Sequence, residues 1–151
     1  MSEAAISKQV SVKFEGVTPI LRVRSVEASI DYYVQRLGFK IDWQTPMFVS
    51  VSRDKCHIFL SEGDQGHAGS WVWCGVEDAE ALFDEYRASG AKLRHPPTND
   101  AWAYEMQVED LDGNVLRLGS EPKENESVGE WLDMQGVRWN FVDGEWTRVP
   151  K

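Results

Sequence analysis

Residues 25–40 decide the fold: they read Ser-Val-Glu-Ala-Ser-Ile-Asp-Tyr-Tyr-Val-Gln-Arg-Leu-Gly-Phe-Lys. Serine is a common helix N-cap, glycine commonly ends a helix, and the apolar residues between Ser25 and Gly38 keep helical spacing. We therefore predict a helix between these two residues. A second helix is predicted at 79–89, and its end, Ser-Gly-Ala-Lys, lies about 52 residues after the matching Leu-Gly-Phe-Lys of the first.

The segments around the two predicted helices repeat in the same order. A β-rich segment precedes each helix, at 14–23 and 70–76, and three short β segments follow it, at 39–43, 47–52 and 56–61 and again at 92–95, 103–108 and 115–119. Two β-α-β-β-β modules, at about 14–66 and 67–120, are therefore predicted within one domain of residues 1–120. Side by side, they can form one curved sheet.

The composition limits the classes of function. The net charge is -9 and the isoelectric point is about 4.8, so the surface repels phosphate backbones and anionic lipids, and we expect neither a nucleic-acid nor a membrane partner. No apolar run reaches the roughly 18 residues that a membrane span needs. The first residues lack a secretory signal, and the two cysteines are too few for a disulfide framework. We therefore expect a cytoplasmic protein.

A Trp-rich extension, residues 121–151 and called the tail below, follows the predicted domain. It holds three of the seven tryptophans, Trp131, Trp139 and Trp146, and an Asp143-Gly144 pair typical of a hairpin turn. Disordered segments rarely carry so much aromatic surface. We therefore expect the tail to pack on the domain or on a partner subunit.

The alternation of side chains along the strands separates two faces. One face is aliphatic and must pack on the helices; its members are Val49, Val51, Ile58, Leu60, Val72, Cys74, Leu116 and Leu118. The other mixes aromatic and polar residues: Phe48, Ser50, Ser52, His57, Phe59, Ser61, Trp71, Trp73, Glu105, Gln107 and Arg117. Such a mixture is typical of a ligand pocket. Packing of these aromatics on a partner subunit or on the tail is the alternative.

Catalytic patterns are weak in this sequence. Cys56 and His57 are adjacent in a predicted strand, so their side chains point to opposite faces and cannot act as a nucleophile and its base. The sequence has neither a nucleophile elbow nor a phosphate-binding glycine loop. We predict no catalytic residue, no metal ligand and no cofactor.

Several motifs together resemble the vicinal oxygen chelate superfamily, which includes glyoxalase I, ring-cleaving dioxygenases and the bleomycin resistance proteins. They are Thr18-Pro-Ile-Leu-Arg-Val, Tyr32-Tyr33, Leu37-Gly-Phe, Trp71-Val-Trp and Asp110-Leu-Asp-Gly-Asn. The resemblance implies an α+β fold in which the two modules form a cup-shaped mixed sheet with the helices on its convex side. The positions matching the metal ligands of that superfamily are Thr18, Phe59, Trp71 and Arg117, a set poorly suited to a divalent metal.

Within this superfamily, Phe48-Val-Ser-Val-Ser-Arg-Asp, Ile58-Phe-Leu-Ser and Ser70-Trp-Val-Trp are most similar to the bleomycin resistance proteins. That similarity implies a homodimer that sequesters a small molecule in interface clefts without changing it. An acidic protein with facing aromatics suits a cationic, aromatic ligand. The predicted ligand-binding residues are Phe48, His57, Phe59, Ser61, Trp71, Trp73, Trp102, Glu105 and Arg117.

Two other functions remain open from the sequence. One is a lyase, isomerase or dioxygenase-like enzyme of the same fold, in which Arg117 holds an anionic substrate and Glu105 or His57 acts as the base. A buried Arg117 without an acidic partner would favour that enzyme. The other is a small-molecule sensor or a partner-binding module whose interface is supplied by the tail.

Overall fold

The order of helices and strands follows the predicted repeat. The structure is a computed structural model that describes residues 11–150; the first ten residues of the predicted domain and Lys151 lie outside this range. Its helices are α1 (Val26–Gln35) and α2 (Ala79–Ser89). Its strands are β1 (Ile20–Arg22), β2 (Lys40–Thr45), β3 (Phe48–Arg53), β4 (Cys56–Ser61), β5 (Trp71–Gly75), β6 (Lys92–Asn99), β7 (Tyr104–Glu109), β8 (Val115–Ser120), β9 (Trp131–Leu132), β10 (Arg138–Val142) and β11 (Glu145–Arg148).

Each module is a four-stranded mixed sheet. The strand orders are β1-β4-β3-β2 and β5-β8-β7-β6, so the two modules share one topology. The first strand of each module runs parallel to the last, and the other neighbours are antiparallel. This repeat confirms the predicted α+β fold, whose strand hydrogen bonds divide it into two four-stranded halves. The tail adds a three-stranded antiparallel sheet, β11-β10-β9.

Both helices begin at a capping side chain. Ser25 Oγ accepts a hydrogen bond from Ala28 N at 3.1 Å, and Asp78 Oδ1 accepts one from Ala81 N at 3.0 Å. α2 ends at Gly90, whose φ of 81° is readily adopted by glycine. Within residues 11–150, no helix combines the length and the apolar character needed to cross a membrane.

The core lies between each sheet and its helix. The predicted aliphatic face is buried there, except for Val72, which is partly buried against the same cluster. Tyr33 and Leu37 of the first module and Tyr86 of α2 are fully buried in that core. Cys56 and Cys74 are free thiols that pack on or within it. The alternation of side chains along the strands therefore correctly predicted the helix-facing side of both sheets.

Two strands have bounds that differ from the prediction by more than two residues at one end. Only Ile20–Arg22 of the β-rich segment 14–23 forms a strand, and Phe14 before it is 94% exposed, because within the described chain the preceding residues pair with no strand. β6 is longer than predicted and continues through Pro96 and Pro97 to Asn99. It is an edge strand, where prolines without an N–H are tolerated.

The two modules are joined by the Asp110-Leu-Asp-Gly-Asn114 turn. The carboxylate of Asp110 accepts hydrogen bonds from Asp112 N, Asn114 N and Asn114 Nδ2, and from Tyr33 Oη of the first module. Asn114 Nδ2 also donates to Arg22 O, and Asn114 Oδ1 accepts from Ser70 N. The buried side chains of Asp110 and Asn114 therefore hold α1, β1, β5 and β8 in one arrangement.

The helices make a second connection between the modules. Tyr86 Oη of α2 donates to Leu37 O at 2.7 Å, and the Arg53 guanidinium of β3 donates to both carboxylate oxygens of Glu85 in α2. Each module thus supplies polar groups that satisfy backbone or side-chain atoms of the other. The bond between Tyr86 and Leu37 is buried, whereas the Arg53–Glu85 pair is partly exposed, so the buried bond is the one that is costly to break.

We expect Asn114→Ala to lower the free energy of unfolding by about 2 to 4 kcal/mol, because it leaves several buried polar groups without a partner. The measurement is urea unfolding followed by Trp fluorescence. Asn125→Ala, at an exposed position, is the matched control and should change stability by less than about 0.5 kcal/mol. Equal stability of the two variants would contradict the role of the turn.

Candidate functional site

The face of the first module opposite its helix carries an aromatic cluster. Trp43 stacks on Phe48 with ring centroids 5.7 Å apart and an interplanar angle of 9°, and Phe59 lies 5.3 Å from Phe48. We call these three residues the module-1 cluster. Trp43 was not predicted to lie here, because a β-bulge between Ile41 and Trp43 shifts the alternation of β2. Trp43 is 48% exposed, and Phe48 and Phe59 are partly exposed, so the cluster offers stacking area to a flat molecule.

An ionised carboxylate accompanies the module-1 cluster. Asp42, the extra residue of the bulge, accepts hydrogen bonds from Ser52 Oγ at 2.8 Å and Ser50 Oγ at 3.0 Å. The Ser52 hydroxyl in particular holds the pKa of Asp42 below its usual value. His57 Nδ1 lies 3.6 Å from the carboxylate. Lys40 Nζ also lies 3.6 Å from the carboxylate, on an exposed side chain. This face is therefore aromatic and carries a carboxylate that is ionised at neutral pH and partly balanced by Lys40.

The corresponding face of the second module is built around an ion pair. The Arg117 guanidinium donates to both oxygens of Glu105, at 2.8 and 3.1 Å, and Trp102 Nε1 donates to the same carboxylate. Glu105 is buried. Such a bidentate pair satisfies both charges. Arg117 is thus engaged by an acidic partner, the arrangement that does not favour the anion-binding enzyme.

The tail covers this second face. Trp131 lies under the Arg117 guanidinium, 4.7 Å from the ring centroid, and its ring is 6.0 Å from that of Trp71 and 6.2 Å from that of Trp102. Buried Gln107 donates from Nε2 to Leu132 O at 3.1 Å. The predicted packing of the tail on the domain is therefore observed, as is the hairpin turn at Asp143-Gly144, between β10 and β11.

The connection to the tail is itself anchored. Asn99, the last residue of β6, donates from Nδ2 to Lys123 O and Glu126 O, each at 2.9 Å, and accepts from Lys123 N at 2.8 Å. Gly129 N donates to Asn99 O at 2.7 Å. One asparagine thus fixes the path that leads the chain to Trp131.

The predicted ligand-binding residues fall into separate groups. Phe48 and Phe59 lie in the module-1 cluster with His57 beside Asp42, while Ser61 is buried at the end of β4. Trp71, Trp102, Glu105 and Arg117 lie under or beside the tail. Trp73 is 51% exposed and lies against Gly119. Among the described residues, no aromatic contact joins the two groups.

The positions that match the metal ligands of the superfamily do not fit a metal ion. Phe59 and Trp71 are rings in aromatic clusters, and Arg117 is a paired cation. Thr18 precedes β1 and offers only a hydroxyl. Within residues 11–150, no group of three or more His, Cys, Asp or Glu side chains is arranged to hold a metal. No reaction step is therefore derived through one.

A buried carboxyl group, Asp100, lies beside the second face. It is 4% exposed, in the loop that leads to Trp102. Burial above all, together with the negative charge of Glu105 and against the opposing charge of Arg117, raises its pKa to about 7. Sequence reasoning missed this group, since nothing in Asn-Asp-Ala-Trp indicates burial.

The shift of Asp100 makes stability depend on pH. Because its pKa is higher in the folded than in the unfolded protein, the folded state binds more protons between about pH 4 and 7. Stability should therefore fall as the pH rises through this window. We expect Asp100→Asn to be more stable than wild type at pH 8 and to lose this dependence. The midpoint of thermal unfolding, measured from pH 4 to 8, tests this expectation. Asp31 is exposed, so Asp31→Asn is the control and should behave as wild type.

The fold and the aromatic faces define a class: a duplicated β-α-β-β-β protein whose helix-free faces carry aromatic rings and few polar groups. Residues 14–118 match the model of the Glyoxalase/Bleomycin resistance protein/Dioxygenase superfamily, well over half of the chain. The chain belongs to this superfamily, and the predicted membership is confirmed. No curated protein matches the sequence significantly.

Solved structures with this fold include antibiotic-binding proteins. The bleomycin-binding protein of bleomycin-producing Streptomyces verticillus, in complex with copper(II)-bleomycin, is 24% identical with a TM-score of 0.65, over 73% of this chain and 98% of that one. The antibiotic-binding protein TnmS3 of Streptomyces sp. CB03234 is 20% identical with a TM-score of 0.65, over 75% and 100%. The bleomycin resistance determinant of transposon Tn5 is 19% identical with a TM-score of 0.62, over 72% and 98%. At these identities the likeness shows a common fold.

Proposed function

We propose that this protein binds and sequesters a cationic, aromatic small molecule without changing it chemically. The observation that carries the proposal is the partly exposed module-1 cluster beside the ionised carboxylate of Asp42. Aromatic rings supply contact area and stacking, each such pair being worth about 0.5 to 1.5 kcal/mol beyond area burial. A neighbouring carboxylate selects for positive charge. The net charge of -9 attracts the same class of ligand.

The comparisons support a binding role. Three proteins with this fold bind antibiotics or determine resistance to them. We assign ligand binding to a domain of residues 1–120, to which the tail is an addition. The family match ends at residue 118, which supports this division. The free thiols of Cys56 and Cys74 fit a cytoplasmic location, where thiols stay reduced.

An enzymatic function of this fold is less well supported than a binding function. It requires Arg117 to hold an anionic substrate, yet the guanidinium is engaged by Glu105 and lies over Trp131. It requires Glu105 or His57 as a base, and Glu105 is buried in that ion pair. We therefore assign no catalytic residue, and we propose that binding needs no metal, because the residues at the four family positions do not suit one.

We also propose that two copies associate so that one roofs the aromatic face of the other. Several large apolar side chains are exposed on and near the first module, among them Phe14, Ile41, Trp43 and Met47. Exposed aromatic surface of the kind that Trp43 presents often marks an interaction site. A dimer cleft would enclose the module-1 cluster and increase the area buried against a ligand.

We expect wild-type protein to bind proflavine, a flat aromatic cation, in isothermal titration calorimetry. Phe48→Ala should weaken binding about 5- to 30-fold, the loss expected for one stacking contact of about 1 to 2 kcal/mol. Asp42→Asn should weaken it several-fold and reduce its salt dependence. Exposed Asp31→Asn is the charge control and should bind as wild type. Failure of wild type to bind proflavine, bleomycin and other cationic aromatics would refute the proposal.

Sedimentation velocity at micromolar concentration tests the dimer. We expect twice the chain mass of 17.2 kDa for wild type and a shift toward monomer for Trp43→Glu, because a charge on the apolar face opposes its burial. A wild-type protein that sediments only as a monomer would contradict the roofed cleft. Binding of proflavine by that monomer would leave the binding proposal itself intact.

A further inference from the structure

The tail forms a pocket together with the second module. It measures about 650 Å³ and is open to solvent; its lining residues are Trp102, Arg117, Trp131, Asp133, Trp139 and Trp146. Trp131, Trp139 and Trp146 come from the three strands of the tail sheet, and only Trp102 and Arg117 belong to the module. The family match ends at residue 118, before the tail begins. The pocket is thus a feature of this chain that its family fold does not supply.

We propose that this tail pocket binds an organic cation, such as a quaternary or protonated ammonium group joined to an aromatic ring. The inference rests on the proposed function, and it adds a second site for a ligand of the same cationic, aromatic class. Its basis is the convergence of four tryptophan rings and one carboxylate on one open volume. Tryptophan is the best aromatic partner for a cation, and cages of such rings recognise ammonium ligands.

The rings are held in place before any ligand arrives. Trp139 Nε1 donates to Asp133 Oδ2 at 2.9 Å, and Asp133 is fixed by donors at Gln135 N and Val137 N. Trp131 is held between Arg117 and Trp71, while Trp146 lies 6.5 Å from Trp102 and 4.9 Å from Phe141. Fixed walls lower the entropic cost of binding.

The exposure of Trp102 and Trp146 indicates that the tail does more than cover the second face. Trp131 and Leu132 of the tail contact Arg117 and Gln107 of the second face. Trp102 and Trp146 line the same pocket and are 44% and 47% exposed. Two large indoles that face solvent at one pocket are costly as packing alone. A ligand in the pocket would cover that area.

The charges around the pocket favour a cation over an anion. Arg117 is its one positive lining residue, and its charge is satisfied by the bidentate pair with Glu105. The Trp139 N–H and the two backbone donors lower the pKa of Asp133, so this carboxylate stays ionised. The local charge is therefore negative, and an aromatic face adds its own negative quadrupole.

Benzyltrimethylammonium is the probe, with benzyl alcohol as the neutral match and benzoate as the anionic match. We expect the cation to bind wild type at least about tenfold more tightly than either match and to shift the indole N–H resonances of Trp102, Trp139 and Trp146 in nitrogen-correlated NMR spectra. Trp146→Ala should weaken cation binding about 5- to 30-fold, while Trp146→Phe should recover part of the loss. Val142→Ala, exposed on the same sheet, is the control.

Asp133→Asn separates the charge from the shape of the pocket. We expect it to weaken binding of the cation and to leave binding of benzyl alcohol unchanged, whereas distortion of the turn would weaken both and so overturn this assignment of Asp133. Asp143→Asn makes the same charge change in the same tail, outside the pocket, and should have no effect.

The result also distinguishes the two proposals. If wild type binds the aromatic cations, and Phe48→Ala weakens that binding while Trp146→Ala and Trp139→Ala do not, the tail pocket is refuted and the proposed function stands. If wild type binds none of them, the proposed function fails and the tail pocket fails with it.

Discussion

The arrangement of the whole molecule depends on one buried carboxylate–amide pair, Asp110 and Asn114. Their side chains satisfy backbone atoms of both modules, from Arg22 O to Ser70 N, and they hold the Tyr33 hydroxyl at the end of α1. Burial raises the pKa of Asp110, and the hydrogen bonds from Asn114, Asp112 and Tyr33 oppose that shift. Because a half-satisfied buried network is costly, the turn admits few alternative arrangements of the two sheets. The positions of both aromatic faces follow from it.

The two sheets share a topology, but their helix-free faces carry different side chains. On the first, a β-bulge places Asp42 and Trp43 on the same side of β2 and leaves an exposed aromatic cluster next to a negative charge. On the second, the same side of the sheet is closed by an ion pair and by Trp131 from the tail. The duplicated fold thus has one open face and one face that the tail covers to form a pocket.

The sequence predicted the repeat, the helix-facing core and the hairpin at Asp143-Gly144, because each depends on local periodicity or turn chemistry. Prediction failed where a non-local partner decides the outcome. A bulge that residues 40–45 do not indicate reverses the alternation of side chains in β2. Trp43 was therefore not assigned to the aromatic face. Trp71, Glu105 and Arg117 were correctly assigned to one face, but alternation alone does not reveal that the tail lies on them. Three tryptophans within residues 131–146 were the available signal for that cover.

The bond from Gln107 to Leu132 O has a consequence for how this chain differs from its shorter relatives. Gln107 is completely buried, and its amide is satisfied by the Arg94 side chain and by a tail carbonyl. A chain cut after Ser120 would match the length of the family fold, but Gln107 would lose its tail acceptor and the tryptophans of the second face would be exposed to water. The extension therefore contributes hydrogen bonding and aromatic burial to the second sheet that the shorter relatives must obtain in another way.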